Sequence, residues 1–140
     1  MCCSSRTWLF TSALLVPLGL AASGSPQNGA SADATTLTNP VPVSATTLAE
    51  GKQLFTKNCV SCHGPLGKGD GKAGAILKPP PADLTDDMWK HGSTDGELFT
   101  VIRDGAKGTP MRGFGGRMTT KEIWTVLNYV RSLRPAQGPP

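Results

Sequence analysis

The chain has 140 residues, a formal net charge of +4 and a sequence pI near 9.0, which points to one domain with a mildly basic surface. Its basic residues stand singly between apolar positions and form no run, so nothing in the charge pattern argues for a nucleic-acid partner.

Residues 1–23 read as an export signal. Arg6 gives a positive n-region, Trp8 to Ala22 a short apolar h-region broken by Pro17 and Gly19, and Ala21-Ala22-Ser23 a small-x-small site for cleavage before Gly24. The apolar stretch is too short for a membrane span, so membrane contact is expected only if this segment stays uncleaved. Cys2 and Cys3 precede it, whereas a lipoprotein signal places its cysteine just behind. Residues 24–45 are rich in Ser, Ala, Thr, Asn, Gln, Gly and Pro, too poor in apolar side chains to fold, and read as a flexible low-complexity leader.

The folded domain is expected over 46–134. Its first helix is predicted to begin at Thr47, where Thr47-Leu48-Ala49-Glu50 reads as a capping box. Leu48, Gly51, Leu54 and Phe55 share one face, and Gly51 on a core face suggests close approach by another helix.

Cys59-Val60-Ser61-Cys62-His63 follows. C-x-x-C-H is the attachment motif of a c-type haem: each thiol forms a thioether with one vinyl group, and the histidine after the second cysteine is aimed at the iron. Rival uses of the pattern lack support. A structural zinc needs four ligands, and beyond residue 63 the chain has no cysteine and one histidine, His91. A redox dithiol belongs at a strand-to-helix junction, and no β-branched run precedes Cys59.

From Gly64 the chain runs through Gly67, Gly69, Gly71 and Gly74 to Pro79-Pro80-Pro81, which predicts a wrapped loop without regular structure. A second helix is predicted over Asp95 to Asp104, with Thr94 and Glu97 as a capping box, Leu98, Val101 and Ile102 inward, and Gly105 as its stop. A last helix is predicted from Thr120 to Leu133, capped by Thr119 with Glu122 at N3 and stapled by Met118 and Ile123. Its apolar stripe is Ile123, Val126, Leu127, Val130 and Leu133, with Trp124 and Tyr129 at the margins. Pro135 ends it, and 135–140 read as a disordered tail.

An iron held by one histidine has a sixth position, for which Met88, His91, Met111 and Met118 are candidates. The loop Gly105 to Gly116 favours Met111, since its glycines permit close approach and Pro110 stiffens the segment presenting the sulfur. Met118 is explained by the staple, and Met88 as a gap-filling side chain.

With C-V-S-C-H-G, the Thr109-Pro110-Met111 loop and the terminal helix in that order, the chain resembles the class I c-type cytochromes over about 47 to 134. The resemblance implies an all-α fold of short helices around one covalently bound haem c, with crossed N- and C-terminal helices in contact at Gly51 and Phe55 against Val126 and Tyr129. It implies Cys59 and Cys62 as thioether anchors, His63 as proximal ligand and Met111 as distal ligand. It also implies a proline carbonyl accepting from the proximal histidine, expected among Pro79 to Pro81. Arg112 departs from the family, many members of which have proline after the methionine.

The function so implied is that of an exported, periplasmic carrier of single electrons between redox proteins, a dehydrogenase or reductase as donor and an oxidase or another cytochrome as acceptor, and not of an enzyme. The alternative is a haem-bearing subunit of a periplasmic dehydrogenase or oxidase complex. Lys57, Lys68, Lys72, Lys78, Lys107 and Arg112 are expected to border the haem edge and to steer an acidic partner towards it.

Overall fold

The computed structural model describes residues 32–134. The export signal expected over 1–23 with Cys2 and Cys3, the leader up to residue 31 and the tail from Pro135 lie outside the described residues. The described elements are α1 (Ala32–Thr36), α2 (Ala45–Asn58), α3 (Val60–His63), a 3-10 turn (Gly74–Ile76), α4 (Asp95–Asp104) and α5 (Thr120–Ser132). Strand-like pairing among the described residues is limited to one bridge between Gly105 and Arg112, so the fold is all-α as expected.

Capping decides where the helices start. The first amides of a helix have no partner within it, and at α4 the Glu97 amide donates to Thr94 Oγ1 (3.3 Å) while Glu97 Oε2 accepts from the Thr94 amide (3.0 Å). Thr119 and Glu122 repeat this box at α5, at 3.2 Å and 2.8 Å. The start of α2 differs from expectation: its cap is Ser44, and Thr47 is the N3 partner. The Thr47 amide donates to Ser44 Oγ (3.1 Å), and the Ser44 amide to Thr47 Oγ1 (2.9 Å). Thr47 Oγ1 also reaches back to the Pro42 carbonyl at 2.8 Å. A hydroxyl thus fills the role expected of Glu50, which is left in solvent.

Helices α2 and α5 meet at Gly51. A methyl group built there would lie 2.6 Å from the Thr125 carbonyl oxygen and 2.8 Å from Tyr129 Cβ, so only glycine lets the backbones come this close. One turn on, Phe55 is buried with its ring centroid 5.4 Å from that of Tyr129, the planes inclined at 56°. Phe55, Ile123, Val126 and Leu127 form the most deeply buried part of the core.

The leader ends sooner than its composition suggests, because residues from α1 onward are docked on α4 and α5. Ala34 and Val41 are buried, and the Gly96 backbone of α4 lies against the Ala34 carbonyl and Leu37 Cβ. Asn39 Nδ2 donates to the Trp124 carbonyl (3.1 Å) and to Asn128 Oδ1 (2.8 Å). Asn128 Nδ2 in turn donates to the Val41 carbonyl (3.0 Å), and the Val41 amide to Asn39 Oδ1 (2.9 Å). The buried Asn128 amide is thereby satisfied at both ends. Trp124, expected at the margin of α5, is 5% exposed and stacks on Phe99 at 4.2 Å between centroids and 18° between planes. The side of α5 that the apolar stripe leaves open is occupied by residues 34–41.

Candidate haem site

The C-x-x-C-H residues form one helical turn at the end of α2. Cys59 caps α2, its amide donating to the Phe55 carbonyl (2.8 Å). The Cys62 and His63 amides then both donate to the Cys59 carbonyl, at 3.1 and 2.9 Å. This turn ends at Gly64, whose φ of 75° belongs to the left-handed region. The carbonyls left without helical partners are taken up by the glycine-rich loop: Ala73 donates to Ser61 (2.8 Å), Gly71 to Cys62 (3.1 Å) and Gly69 to His63 (2.8 Å). Side chains on this loop would collide, since a Cβ at Gly71 would meet the Ser61 and Val60 carbonyl oxygens. Within the expected irregular loop, Gly74–Ile76 is a 3-10 turn.

The imidazole of His63 is oriented by a backbone carbonyl, that of Ala82, 3.1 Å from Nδ1. The expected proline carbonyl is therefore replaced by that of the next residue after Pro81. A carbonyl only accepts, so Nδ1 carries the proton and Nε2 keeps the lone pair a metal requires. Ala82 is brought there by the Leu84 amide, which donates to the Gly67 carbonyl (2.7 Å) and folds the proline run back over α3. Burial holds the imidazole below the ordinary histidine pKa, against the upward pull of the Ala82 bond, so it is neutral and able to ligate at pH 7. Burial, with Cys62 nearby, pushes the Cys59 thiol up to about 11. A thiol of that kind is a poor nucleophile and a poor redox dithiol.

Cys59, Cys62, His63 and Met111 line a single cavity of about 620 Å³. Its walls are largely apolar, with Leu98, Val101 and Ile102 from α4 and Val126 and Val130 from α5. Met88, His91 and Met118 line it too, so proximity to the cavity leaves all four sixth-position candidates in place, and their supports distinguish them. Met118 is buried in the core beside Ile123. Met88 is 82% exposed. Met111 is held by its backbone on both sides: its carbonyl accepts from the Ala106 amide (3.1 Å), its amide donates to Thr109 Oγ1 (3.2 Å), and the Gly105–Arg112 bridge closes the loop. Phe114 and Gly115 tie the outgoing strand of this loop to the Ile102 and Arg103 carbonyls, each at 2.9 Å.

Two features have no counterpart in the sequence reading. Trp89 lines the cavity and its indole Nε1 is buried without a hydrogen-bond partner, although a buried indole N–H ordinarily finds an acceptor. Its ring lies under two guanidinium groups, Arg134 at 4.8 Å and Arg131 at 5.8 Å from the centroid. Arg131 is held by Asp95 Oδ1 (2.6 Å) and the Ser93 carbonyl (2.7 Å), and Arg134 by Asp87 Oδ1 (3.0 Å). The signal available in the sequence is an isolated tryptophan two residues before a histidine in a polar loop, which does not say what either faces.

These residues fit a haem and fit little else. The cavity offers an apolar wall for a porphyrin, two thiols, an imidazole with a free Nε2, and an indole donor lacking the kind of acceptor that a haem carboxylate provides. Among the described residues no three His, Cys, Asp or Glu side chains gather as a metal-binding group, so zinc has no donor set.

Comparison with known proteins agrees with this chemistry. The chain is 38% identical over 85 residues to the FixP subunit of the cbb3-type cytochrome c oxidase of Bradyrhizobium diazoefficiens, covering 61% of this chain and 27% of that subunit. It is 34% identical over 93 residues to the CcoP subunit of the same type of oxidase from Rhodobacter capsulatus, covering 62% and 29%. The chain therefore spans under a third of these relatives. Among solved structures it is similar to a chain of a reducing HAO-like protein complex from Kuenenia stuttgartiensis, with a TM-score of 0.61, 27% identity and coverage of 71% and 50%. It is also similar to cytochrome cL of Methylophaga aminisulfidivorans, with a TM-score of 0.51, 28% identity and coverage of 62% and 55%. The cytochrome c family model matches residues 48–134, which takes in the thiol turn, the Ala82 carbonyl and the Met111 loop, and the chain accordingly belongs to the cytochrome c family, whose prosthetic group is covalently bound haem c.

Proposed function

We propose that this chain is an exported monohaem cytochrome that carries single electrons between redox proteins, with Cys59 and Cys62 as thioether anchors, His63 as proximal ligand and Met111 as distal ligand. The observation that carries the reading is the convergence of both thiols, the Ala82-oriented imidazole and Met111 on one apolar cavity. Haem supplies a ferrous–ferric couple when bound, and a thioether opposite an imidazole favours the ferrous form and raises the potential.

The remaining work falls to the chain. Ala82 fixes the His63 tautomer and strengthens Nε2 as a donor. The α4 and α5 side chains keep water from the cavity wall. The closed loop around Met111 limits the sulfur's freedom, so little ordering is required of it between oxidation states. With both axial positions held by protein, the reading is of a carrier rather than a catalyst.

The test is expression of the full chain with an export route and haem-attachment machinery, followed by spectroscopy and potentiometric titration. Haem should survive extraction under denaturing conditions, and the ferric protein should show the absorption band of a thioether–iron bond. Met111→Ala should keep the haem attached, lose that band, lower the potential and admit added imidazole. Persistence of the band in this variant would move the distal role to Met88 or Met118, and haem released by acid solvent would refute the anchors.

A second reading has support of its own, since two of the proteins named above are oxidase subunits and a third is a chain of a protein complex. On that reading the chain is the electron-transfer subunit of a larger assembly. Co-purification of a large cofactor-bearing protein with the tagged chain from its native host would favour it, and recovery as a free monomer would favour the carrier.

A further inference from the structure

Residues 83–94, between the proline run and α4, contain no helix or strand, yet Leu84, Met88 and Trp89 line the cavity. Such a stretch keeps its place through the groups it is tied to. Two arginines supply ties from the end of α5, Arg131 within the helix and Arg134 just past it, spaced so that both leave the helical path on one side. Arg131 Nε donates to Asp95 Oδ1 (2.6 Å) and its Nη2 to the Ser93 carbonyl (2.7 Å). Arg134 Nη2 donates to Asp87, at Oδ1 (3.0 Å) and at the carbonyl (3.3 Å). The ties therefore straddle Trp89, with Asp87 before it and Ser93 and Asp95 after it.

The tryptophan is itself held by both arginines. Arg134 lies 4.8 Å and Arg131 5.8 Å from the ring centroid, within the range of attraction between a cation and a ring face. Each guanidinium is also paired with a carboxylate, so little net charge reaches the cavity from either. Part-exposed ion pairs as such contribute little. What sets these two apart is that both lie over one ring while keeping their hydrogen bonds, which takes the forked guanidinium, since a lysine has one nitrogen for either task. Arg134 Nε, like Trp89 Nε1, is buried without a hydrogen-bond partner, whereas a loosely placed surface arginine would bond it to water.

We propose that Arg131 and Arg134 are positioning residues that act through Trp89: together they clamp the indole in the cavity wall and thereby raise the reduction potential of the haem. The inference rests on the carrier reading and deepens it by naming residues that set the potential. A haem carboxylate is an acceptor of the kind that Nε1 lacks. Its negative charge favours the ferric ion, and a donor held against it draws on that charge and favours the ferrous form. The donor has to be in place beforehand, because an indole free to turn away leaves the carboxylate to water. The clamp supplies that order, and it does so by geometry rather than by charge.

The test is made on the holoprotein. Arg131→Lys with Arg134→Lys keeps both charges and removes the fork. It should shift the ferric–ferrous equilibrium about threefold towards the ferric form, which at about 59 mV per tenfold for one electron is a potential lower by about 28 mV. Hydrogen exchange of the Trp89 indole N–H should quicken about tenfold, followed by NMR of the ferrous protein with the resonance identified by its loss in Trp89→Phe. Trp89→Phe keeps a ring beneath the guanidiniums without the donor, and should lower the potential by itself; adding the two lysines to it should lower it little further. A wild-type potential in the lysine variant would overturn the proposal, and so would lower thermal stability with the potential unchanged, the mark of arginines that only brace the loop. Additive shifts in the combined variant would overturn it as well, since the arginines would then act apart from the indole. Should the lysine variant not fold, Trp89→Phe decides alone, a wild-type potential there being enough to sink the idea. A wild-type holoprotein with no reversible one-electron couple would refute the carrier reading, and this inference with it.

Discussion

Replacement of Gly51 by alanine sets two opposed effects against each other, and the structure decides between them. Alanine in place of glycine within a helix is worth about 1 kcal/mol in propensity, so a site with room would be stabilised. Here the new methyl would lie 2.6 Å from the Thr125 carbonyl oxygen and 2.8 Å from Tyr129 Cβ, whereas carbon contacts normally begin near about 3.5 Å. Both obstacles are rigid, one being the backbone of α5 and the other the root of a side chain. The helices must therefore part by roughly 0.8 Å, and overpacking of this kind costs about 1–3 kcal/mol. With backbone as the obstacle the upper part of that range applies, leaving the variant less stable by about 1–2 kcal/mol and lowering the melting temperature by roughly 10 °C. Thermal and denaturant unfolding of the holoprotein, followed by circular dichroism, measure the difference. A Gly51→Ala protein as stable as the wild type or more so would show that propensity wins and that the α2–α5 contact is softer than its geometry states.

Alanine at both Cys59 and Cys62 should abolish covalent haem and leave little cooperatively folded protein, because a domain this small with a largely apolar cavity at its centre depends on a staple; a cooperatively melting apoprotein would contradict this. Asn128→Ala removes the partner of both Asn39 and the Val41 carbonyl, which should cost about 1–3 kcal/mol and speed proteolysis within residues 34–43, and unchanged protection of that segment would mean that Ala34 and Leu37 hold it unaided. Glu97 and Glu122 are held below the ordinary glutamate pKa of 4.5 by backbone amides first, those of Thr94 and Thr119, and by the same residues' hydroxyls next. Their stabilisation is thus complete above pH 4.5 and lost as the pH falls through the depressed values. A Glu97→Gln, Glu122→Gln protein should differ from wild type at pH 7 and converge with it in acid, and a difference independent of pH would refute the linkage.

What could be read in advance follows from the range of the interactions. The boxes at Thr94 and Thr119, the stop at Gly105 and the close approach at Gly51 depend on residues within a turn or on a missing side chain, and each leaves a mark in the sequence. The α2 cap departs from the one expected at Thr47 because Thr47-Leu48-Ala49-Glu50 has the better-known composition, while the observed Ser44–Thr47 pair uses two hydroxyls. The acceptor for His63 had no mark at all, since every residue has a carbonyl, and its identity depends on how the Gly67–Leu84 bond folds the loop back. Asn39 and Asn128 are 89 positions apart, and a segment of Ala, Thr, Leu and Asn gives no periodicity to betray that it is docked. Trp89 bears no mark of its role as a donor, because its surroundings come from α5 and its own loop together.

Two of these unread contacts, those of Asn39 and of Trp89, share one element. Helix α5 presents Thr125 and Tyr129 to α2, Trp124 and Asn128 to α4 and the docked segment, and Val126 and Val130 to the cavity. From its end Arg131 and Arg134 reach to the Trp89 ring. A helix committed on every side cannot shift towards one neighbour without withdrawing from another, which is why residues 123–128 are buried without interruption. The polar and aromatic members of that run are therefore as constrained as the aliphatic ones: Asn128 has both ends of its amide bonded, and Trp124 stacks on Phe99. The docked segment bears on the same helix that walls the cavity and holds Trp89, so loosening residues 34–41 is expected to reach the indole and the cavity wall through α5.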